Sequence, residues 1–315
     1  MSNSSCEEVR LGYFSASAVS MLAHSTGIYN ACQLSVLEEA VPSSPEQFRR
    51  LMSGGYDLVL TSPDNVLNYR VNSRNPLKQT GDIRILAGVD MGMGLSVMAA
   101  PDISSINDLR GRRVGVDVPG SGFAYALFEV LDRAGLHRHE YEVVTMGSTP
   151  RRASALAARE CSATLLNAGH DLIAERAGAR RLARVSDVLG PYPGTVLAAR
   201  AQVIGQRPAL FQRFLAAWTS AVGATLDPAN RRLVESELAR GLAAPRVIAE
   251  SAYRTVISSS EGLIPDGRFD PSGWRLLVDL RVASGGLDAD IEVDLLRTTV
   301  PMVDTCRLPV PEENR

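Results

Sequence analysis

Residues 51–60, Leu51-Met52-Ser53-Gly54-Gly55-Tyr56-Asp57-Leu58-Val59-Leu60, hold the end of one element and the start of the next. Upstream, 45–53 carries helical spacing, and Gly54-Gly55 is where that helix ends, because glycine adopts the left-handed backbone of a helix terminus at no steric cost. Downstream, 56–60 is a compact apolar run, the pattern of a short strand covered on both faces. Working outward, 9–14 and 33–39 read as strands, 17–29 and 64–71 as helices, and 83–89 as a further strand. The crossovers are long enough for parallel pairing, so this part of the chain reads as βαβαβαβ and predicts a parallel α/β sheet.

A second α/β unit begins after Pro101. Residues 108–113 lead into a strand at 114–116, then the turn Pro119-Gly120-Ser121-Gly122 and a helix over 123–134 closed by Gly135. Strands are expected at 141–144, 162–166 and 182–185, with helices at 151–160 and 170–177 between them. The β-like runs 95–100 and 195–200 stand where the chain would cross between units. Beyond them the pattern is helical: Pro208 opens a helix in which Leu210, Phe211, Phe214, Leu215, Trp218 and Val222 form one apolar face, and 231–240, 246–257 and 272–283 continue alike. The order predicts two lobes. Lobe 1 comprises 1–99 and 197–315, lobe 2 is inserted as 100–196, and the helical C-terminal segment returns to lobe 1.

Length agrees, since 315 residues are about twice the usual single domain. Thirty-three Lys and Arg against 35 Asp and Glu leave a formal charge of −2, no field to attract nucleic acid or anionic lipid. Lys78 is the sole lysine and sits in a loop-like stretch, which excludes pyridoxal chemistry and Walker-type nucleotide hydrolysis. Cys6, Cys32, Cys161 and Cys306 are far apart and without metal spacing, so neither a disulfide scaffold nor a zinc site is expected. No apolar stretch of about 18 residues spans a bilayer. The start of the chain, with Glu7 and Glu8, lacks a basic segment followed by an apolar run. A cytoplasmic location is therefore expected, or a periplasmic or extracellular one if a leader has been removed.

Three segments together resemble a known family. Leu51-Met52-Ser53-Gly54-Gly55-Tyr56-Asp57 fits the L-x-S-G-x-x-D turn of type II periplasmic binding proteins. Residues 103–116 (ISSINDLRGRRVGV) are similar to their entrance into the second lobe, with Arg112 where a lysine usually stands. Residues 119–122 and 131–136 (LDRAGL) resemble the segments that follow. The likeness covers roughly 9–227 and is greatest to the nitrate, sulfonate and taurine binding proteins and the thiamine-pyrimidine-synthase-like proteins. It implies a two-lobe type II periplasmic-binding-protein fold with the ligand in the cleft, at the C-terminal ends of strands and the N-termini of helices, where backbone N–H groups favour anions.

Carried over residue by residue, the resemblance nominates Tyr13, Phe14, Ser15 and Ser17 after the first strand, and Thr61, Ser62, Asp64 and Asn65 after the strand at 56–60. It adds Met91, then Pro119, Gly120, Ser121, Gly122 and Phe123, then Asn167 and His170, with Tyr192 placed to close over the ligand. Several have plainer readings. Ser121 suits a helix cap as well as an oxyanion cradle. Ser15 and Ser17 suit donors or caps, and Ser15 and His170 are the candidates for catalysis. His170 also fits an ordinary first helical turn. Asp64 and Asp117 offer carboxylates to a ligand cation or amine, although Asp64 after Pro63 also begins a helix. His137 and His139 alternate like a metal pair but follow Gly135-Leu136 in a connector away from the cleft, as a solvated loop does.

Two chemistries of the superfamily are not expected. Its sulfinate desulfinases carry a reactive cysteine in the first turn, where Ser15 stands here. Its thiamine-pyrimidine synthases use an iron-binding cysteine cluster and a lysine absent from this chain. The leading expectation is a cofactor-free, metal-free binder of a small anionic or polar-aromatic molecule, of the kind that serves an ABC permease if exported. The alternative is a cytoplasmic, cofactor-independent decarboxylase, desulfinase-like lyase or hydrolase using the same cleft.

Overall fold

The computed structural model describes residues 6–288, so expectations that fall on 1–5 and 289–315, including the end of lobe 1 and Cys306, lie outside the described residues. The chain first forms β1 (Glu7–Tyr13), α1 (Ala18–Ser25), α2 (Ile28–Ala31), β2 (Leu34–Ala40), α3 (Ser44–Ser53), β3 (Leu58–Thr61), α4 (Pro63–Val71) and β4 (Ile83–Asp90). The helix expected over 17–29 is split into α1 and α2, because Gly27 at φ 73 turns the backbone left-handed. Next come β5 (Ser96–Ala99), β6 (Arg113–Val116), α5 (Gly122–Arg133), β7 (Glu142–Thr145), α6 (Thr149–Ala157), β8 (Ala163–Leu166), α7 (His170–Arg176), β9 (Arg180–Arg184) and α8 (Val185–Leu189). The last part is β10 (Thr195–Arg200), α9 (Ala201–Gln206), α10 (Pro208–Leu226), α11 (Arg231–Gly241), α12 (Arg246–Val256) and α13 (Pro271–Ala283).

Two five-stranded sheets result, ordered β2-β1-β3-β10-β4 and β7-β6-β8-β5-β9. β1 runs parallel to β2 and β3, and β6 parallel to β7 and β8. The expectation of a purely parallel sheet is corrected at one strand in each. β10 is antiparallel to both β3 and β4, and β5 is antiparallel to both β8 and β9. The cause is the route of the chain. The parallel strands point their C-terminal ends at the cleft, so a strand arriving directly from the other lobe enters from that end and must run the opposite way.

The crossings also move the expected lobe boundaries. β5 pairs wholly within the second sheet, so the outward crossing falls at 91–95 rather than after residue 99, and β10 already pairs with the first sheet at Thr195. Both faces of the first sheet are covered, as the alternation in β10 shows. Leu197 and Ala199 join Leu11, Leu22, Phe214 and Trp218 on one side, while Val196 and Ala198 join Phe48, Leu51, Tyr69 and Ile83 on the other. The second lobe closes around Val97, Val114, Leu127, Leu131 and Leu165.

α13 does not simply return to lobe 1. Trp274 packs in the first-lobe core, but Leu277 and Leu280 pack in the second. From the same helix Arg281, fully buried, forks onto both carboxylate oxygens of Asp64 at 2.7 Å and donates to Asn68 Oδ1 at 2.9 Å and to Gly120 O at 2.8 Å. Its guanidinium lies 5.0 Å from the Tyr125 ring centroid. One side chain thus ties α4 of the first lobe to the turn before α5 of the second.

Candidate functional site

Between the lobes lies a cavity of about 130 Å³, on the order of the space that holds a single small ring in an engineered protein cavity. Strand ends supply its polar wall. After β1 come Phe14, Ser15 and Ser17; after β3 come Thr61, Ser62 and Asn65; β4 ends in it at Asp90. The second lobe contributes Asp117, Ser121, Gly122 and Phe123 after β6, Thr149 and Arg152 from the start of α6, and Asn167, Ala168 and Gly169 after β8. Leu238, Ala252, Val256 and Leu263 from the C-terminal helical part form an apolar side.

The helices α1, α4, α5, α6 and α7 all begin at this wall, and the partial positive charge of a helix N-terminus favours negative charge there. Their caps differ. Ser62 Oγ accepts from Asp64 N at 3.3 Å and Ser121 Oγ from Ala124 N at 3.4 Å, so both are helix caps. Ser17 occupies the N-cap of α1 without a side-chain cap bond, which leaves its hydroxyl for the cavity. Gly122 lets α5 approach the first lobe: a Cβ there would sit 2.4 Å from the Cβ of Asp64.

Arg152 is the strongest charge in the wall. It is 3% exposed, and among the described residues no carboxylate forms an ion pair with it. Instead Nε and Nη2 donate to Leu165 O at 3.3 and 3.2 Å, Nη2 to Thr149 Oγ1 at 3.0 Å and Nη1 to Gly147 O at 2.6 Å. Those four bonds leave one of the five guanidinium N–H groups, on Nη1, for another acceptor. Burial lowers its pKa to about 10, which keeps it cationic at neutral pH. A buried cation held only by neutral acceptors is costly unless an anion joins it.

Two carboxylates share the wall. Burial raises Asp90 to about 6, against the bonds it receives from Thr195 and from the Gly92 N–H at 2.8 Å. Asp117 Oδ2 accepts from the backbone and hydroxyl of Ser44 at 3.2 and 2.5 Å, across the cleft at the start of α3. Ser148 N donates to Pro42 O at 2.9 Å beside it, a second bond between the lobes.

The family description "NMT1/THI5 like" matches residues 18–230, more than half of the chain. The chain belongs to the NMT1/THI5-like family. No curated protein matches its sequence. Among solved structures it is similar to the alkanesulfonate-binding protein SsuA from Xanthomonas axonopodis pv. citri bound to MOPS, at 17% identity and TM-score 0.73 over 93% of this chain and 98% of that one. It is also similar to the periplasmic nitrate-binding protein NrtA from Synechocystis PCC 6803, at 13% identity and TM-score 0.74 over 90% and 83%. The desulfurization enzyme DSZB has the same fold, at 17% identity and TM-score 0.66 over 94% and 96%. The resemblance of the motifs to the nitrate and sulfonate branch of type II periplasmic binding proteins therefore holds for the fold.

In this NMT1/THI5-like protein Phe14, Ser15, Ser17, Thr61, Ser62, Asn65, Ser121, Gly122, Phe123 and Asn167 converge on the cavity. Seven other nominated residues lie outside its lining. Tyr13 ends β1 half-buried, and Met91 donates its N–H to Gly262 O at 3.0 Å in the crossing. Asp64 is taken by Arg281, whose reach to Gly120 O also occupies the Pro119-Gly120 turn. His170 begins α7 behind the wall, where burial and the charge of Arg152 push its pKa down to about 4. Tyr192 is buried behind Phe123, ring centroids 6.2 Å apart, and its hydroxyl donates to Gly122 O at 3.2 Å, so it supports α5 rather than facing a ligand.

Sequence reasoning missed Arg152 and Asp90. A signal for Arg152 was present: Thr149-Pro150-Arg151-Arg152 opens a helix with two cations and no acid, against the helix dipole. His137 sits in a short turn, Nδ1 2.6 Å from Asp132 Oδ1, and no group of three or more metal-ligating side chains occurs among the described residues. Cys32 and Cys161 are buried outside the cavity, and burial raises the Cys161 thiol to about 11.

Proposed function

We propose that the cleft binds one small anion, closing the two lobes over it by rotation about the crossings at 91–95 and 190–194. The observation that carries this reading is Arg152, buried in the wall without a carboxylate partner among the described residues and with one N–H to spare. The converging helix N-termini support it, as do the hydroxyls of Ser15 and Ser17. Phe14, Phe123 and the apolar side suit a short organic tail. That fold relatives are named for alkanesulfonate and nitrate binding supports the same ligand class. A membrane permease with its ATPase is the partner this reading implies, and the chain then meets its ligand outside the cytoplasmic membrane.

One observation favours the alternative of catalysis by a cofactor-independent lyase or hydrolase: Asp90, a buried carboxyl near 6 in the same wall, suits proton transfer. Of the two catalytic candidates Ser15 faces the cavity and His170 does not, so Ser15 has no histidine base in the lining.

A thermal-shift screen with small sulfonates, carboxylates, phosphates and nitrate, each mixture followed by chromatography, tests both readings. A compound that raises Tm and is recovered unchanged supports the binder, because ligand held by the folded state alone stabilises it. Turnover of the compound that Ser15→Ala or Asp90→Asn abolishes would replace binding by catalysis.

A further inference from the structure

Asp117 follows β6 and divides its carboxylate between two surroundings. Oδ2 accepts from Ser44 N at 3.2 Å and Ser44 Oγ at 2.5 Å, on the opposite lobe. Oδ1 is buried, has no partner among the described residues, and belongs to a residue that lines the cavity. Asn65, on the first lobe, repeats the arrangement: Nδ2 donates to Thr61 Oγ1 at 3.1 Å, while Oδ1 is buried without a partner in the same wall. Asp117 is 7% exposed and Asn65 4%, so bulk water is not a ready donor to either. Buried acceptors are almost always matched by a donor, and two such acceptors on one cavity call for N–H or O–H groups in its occupant.

Charge sharpens the choice. Arg152 and Asp117 line the same cavity, yet no ion pair joins them among the described residues. The wall presents the two signs apart instead of letting them neutralise each other. Resting on the reading that the cleft takes a small anion, we infer that the ligand also carries an amino group, received by Asp117 Oδ1 and Asn65 Oδ1 while the anionic end meets Arg152. The ligand class is thus a short amino-substituted acid of about the size of the cavity. Asp117 links recognition to closure, with one oxygen on the ligand and the other on Ser44 of the facing lobe.

The test compares two matched pairs by isothermal titration calorimetry on the full chain: ethanesulfonate with 2-aminoethanesulfonate, and propanoate with 3-aminopropanoate. The amino member of a pair is expected to bind about tenfold more tightly, the effect of one hydrogen bond to a charged group. Asp117→Asn keeps an acceptor for Ser44 but turns a donor toward the cavity, so the ratio falls to about one. Ser44→Ala weakens both members alike and leaves the ratio intact, since it loosens only the latch. Plain acids that bind as tightly as their amino partners, or more tightly, overturn the inference and leave the anion reading standing. Failure of all four to bind refutes both. The wild-type ratio needs no variant, so the inference remains testable if Asp117→Asn does not fold.

Discussion

A guanidinium in the wall of a cavity, held by carbonyls and a hydroxyl alone, keeps its full charge without a counter-charge in contact. That makes Arg152 the residue on which binding should depend most. Arg152→Gln removes the charge while keeping a donor, and should lower affinity for a small anion by about 3 kcal/mol, on the order of a hundredfold, measured calorimetrically. Arg152→Lys should cost roughly tenfold, because an ammonium cannot reproduce the fixed fork that spans Gly147, Thr149 and Leu165. A second residue-scale prediction concerns His170, whose folded pKa of about 4 lies below its model value of 6.5 through burial and the nearby Arg152. The unfolded chain binds the extra proton between those values, so stability is complete above about 6.5 and falls as pH drops toward 4, by about 3 kcal/mol from this one group. Denaturant melts across pH 4 to 7 on wild type and His170→Gln test this, the variant losing that component of the slope.

At the scale of elements, the strands and helices were legible because their signals are local: glycine pairs, apolar runs and proline at helix starts. The turns at strand ends were legible for the same reason, which is why Ser15, Ser17, Thr61, Ser62, Asn65 and Ser121 reached the cavity. The direction of β5 and β10 was not, since it follows from where a strand enters a sheet and not from its own residues. Nor was the position of α13, whose decisive contact joins Arg281 to Asp64 across 217 residues of sequence. That contact makes a prediction for the helix. Arg281→Ala leaves a buried carboxylate unpaired and should destabilise the protein by about 3–5 kcal/mol. Arg281→Met combined with Asp64→Ala should cost less than the single change, because no lone charge remains. Thermal or denaturant unfolding of the three proteins decides the point.

The whole molecule is two sheets joined by two short crossings, with bonds between Ser44 and Asp117 and between Pro42 and Ser148 holding the cleft closed. Those bonds are few, whereas the α13 clamp is extensive, so rotation about 91–95 and 190–194 should open the Ser44 side while the Arg281 side stays together. Small-angle scattering should give a radius of gyration near the roughly 20 Å of a compact chain of this length when ligand is saturating, and a larger value without it. An unchanged radius would show a cleft already closed. Arg152 shows why the site was less legible than the fold. Its acceptors lie on the turn before α6 and on β8, and only the assembled lobe reveals that no acid meets it among the described residues.

The central claim is that a small anion sits between the lobes against Arg152. Its most direct test is a crystal structure with 2-bromoethanesulfonate, recorded at the bromine absorption edge. The account predicts one anomalous peak in the cleft beside Phe14 and Phe123, with the sulfonate oxygens within hydrogen-bond distance of Arg152 Nη1 and the start of α6. A saturated crystal with no peak in the cleft, or with the sulfonate bound away from Arg152, would contradict it.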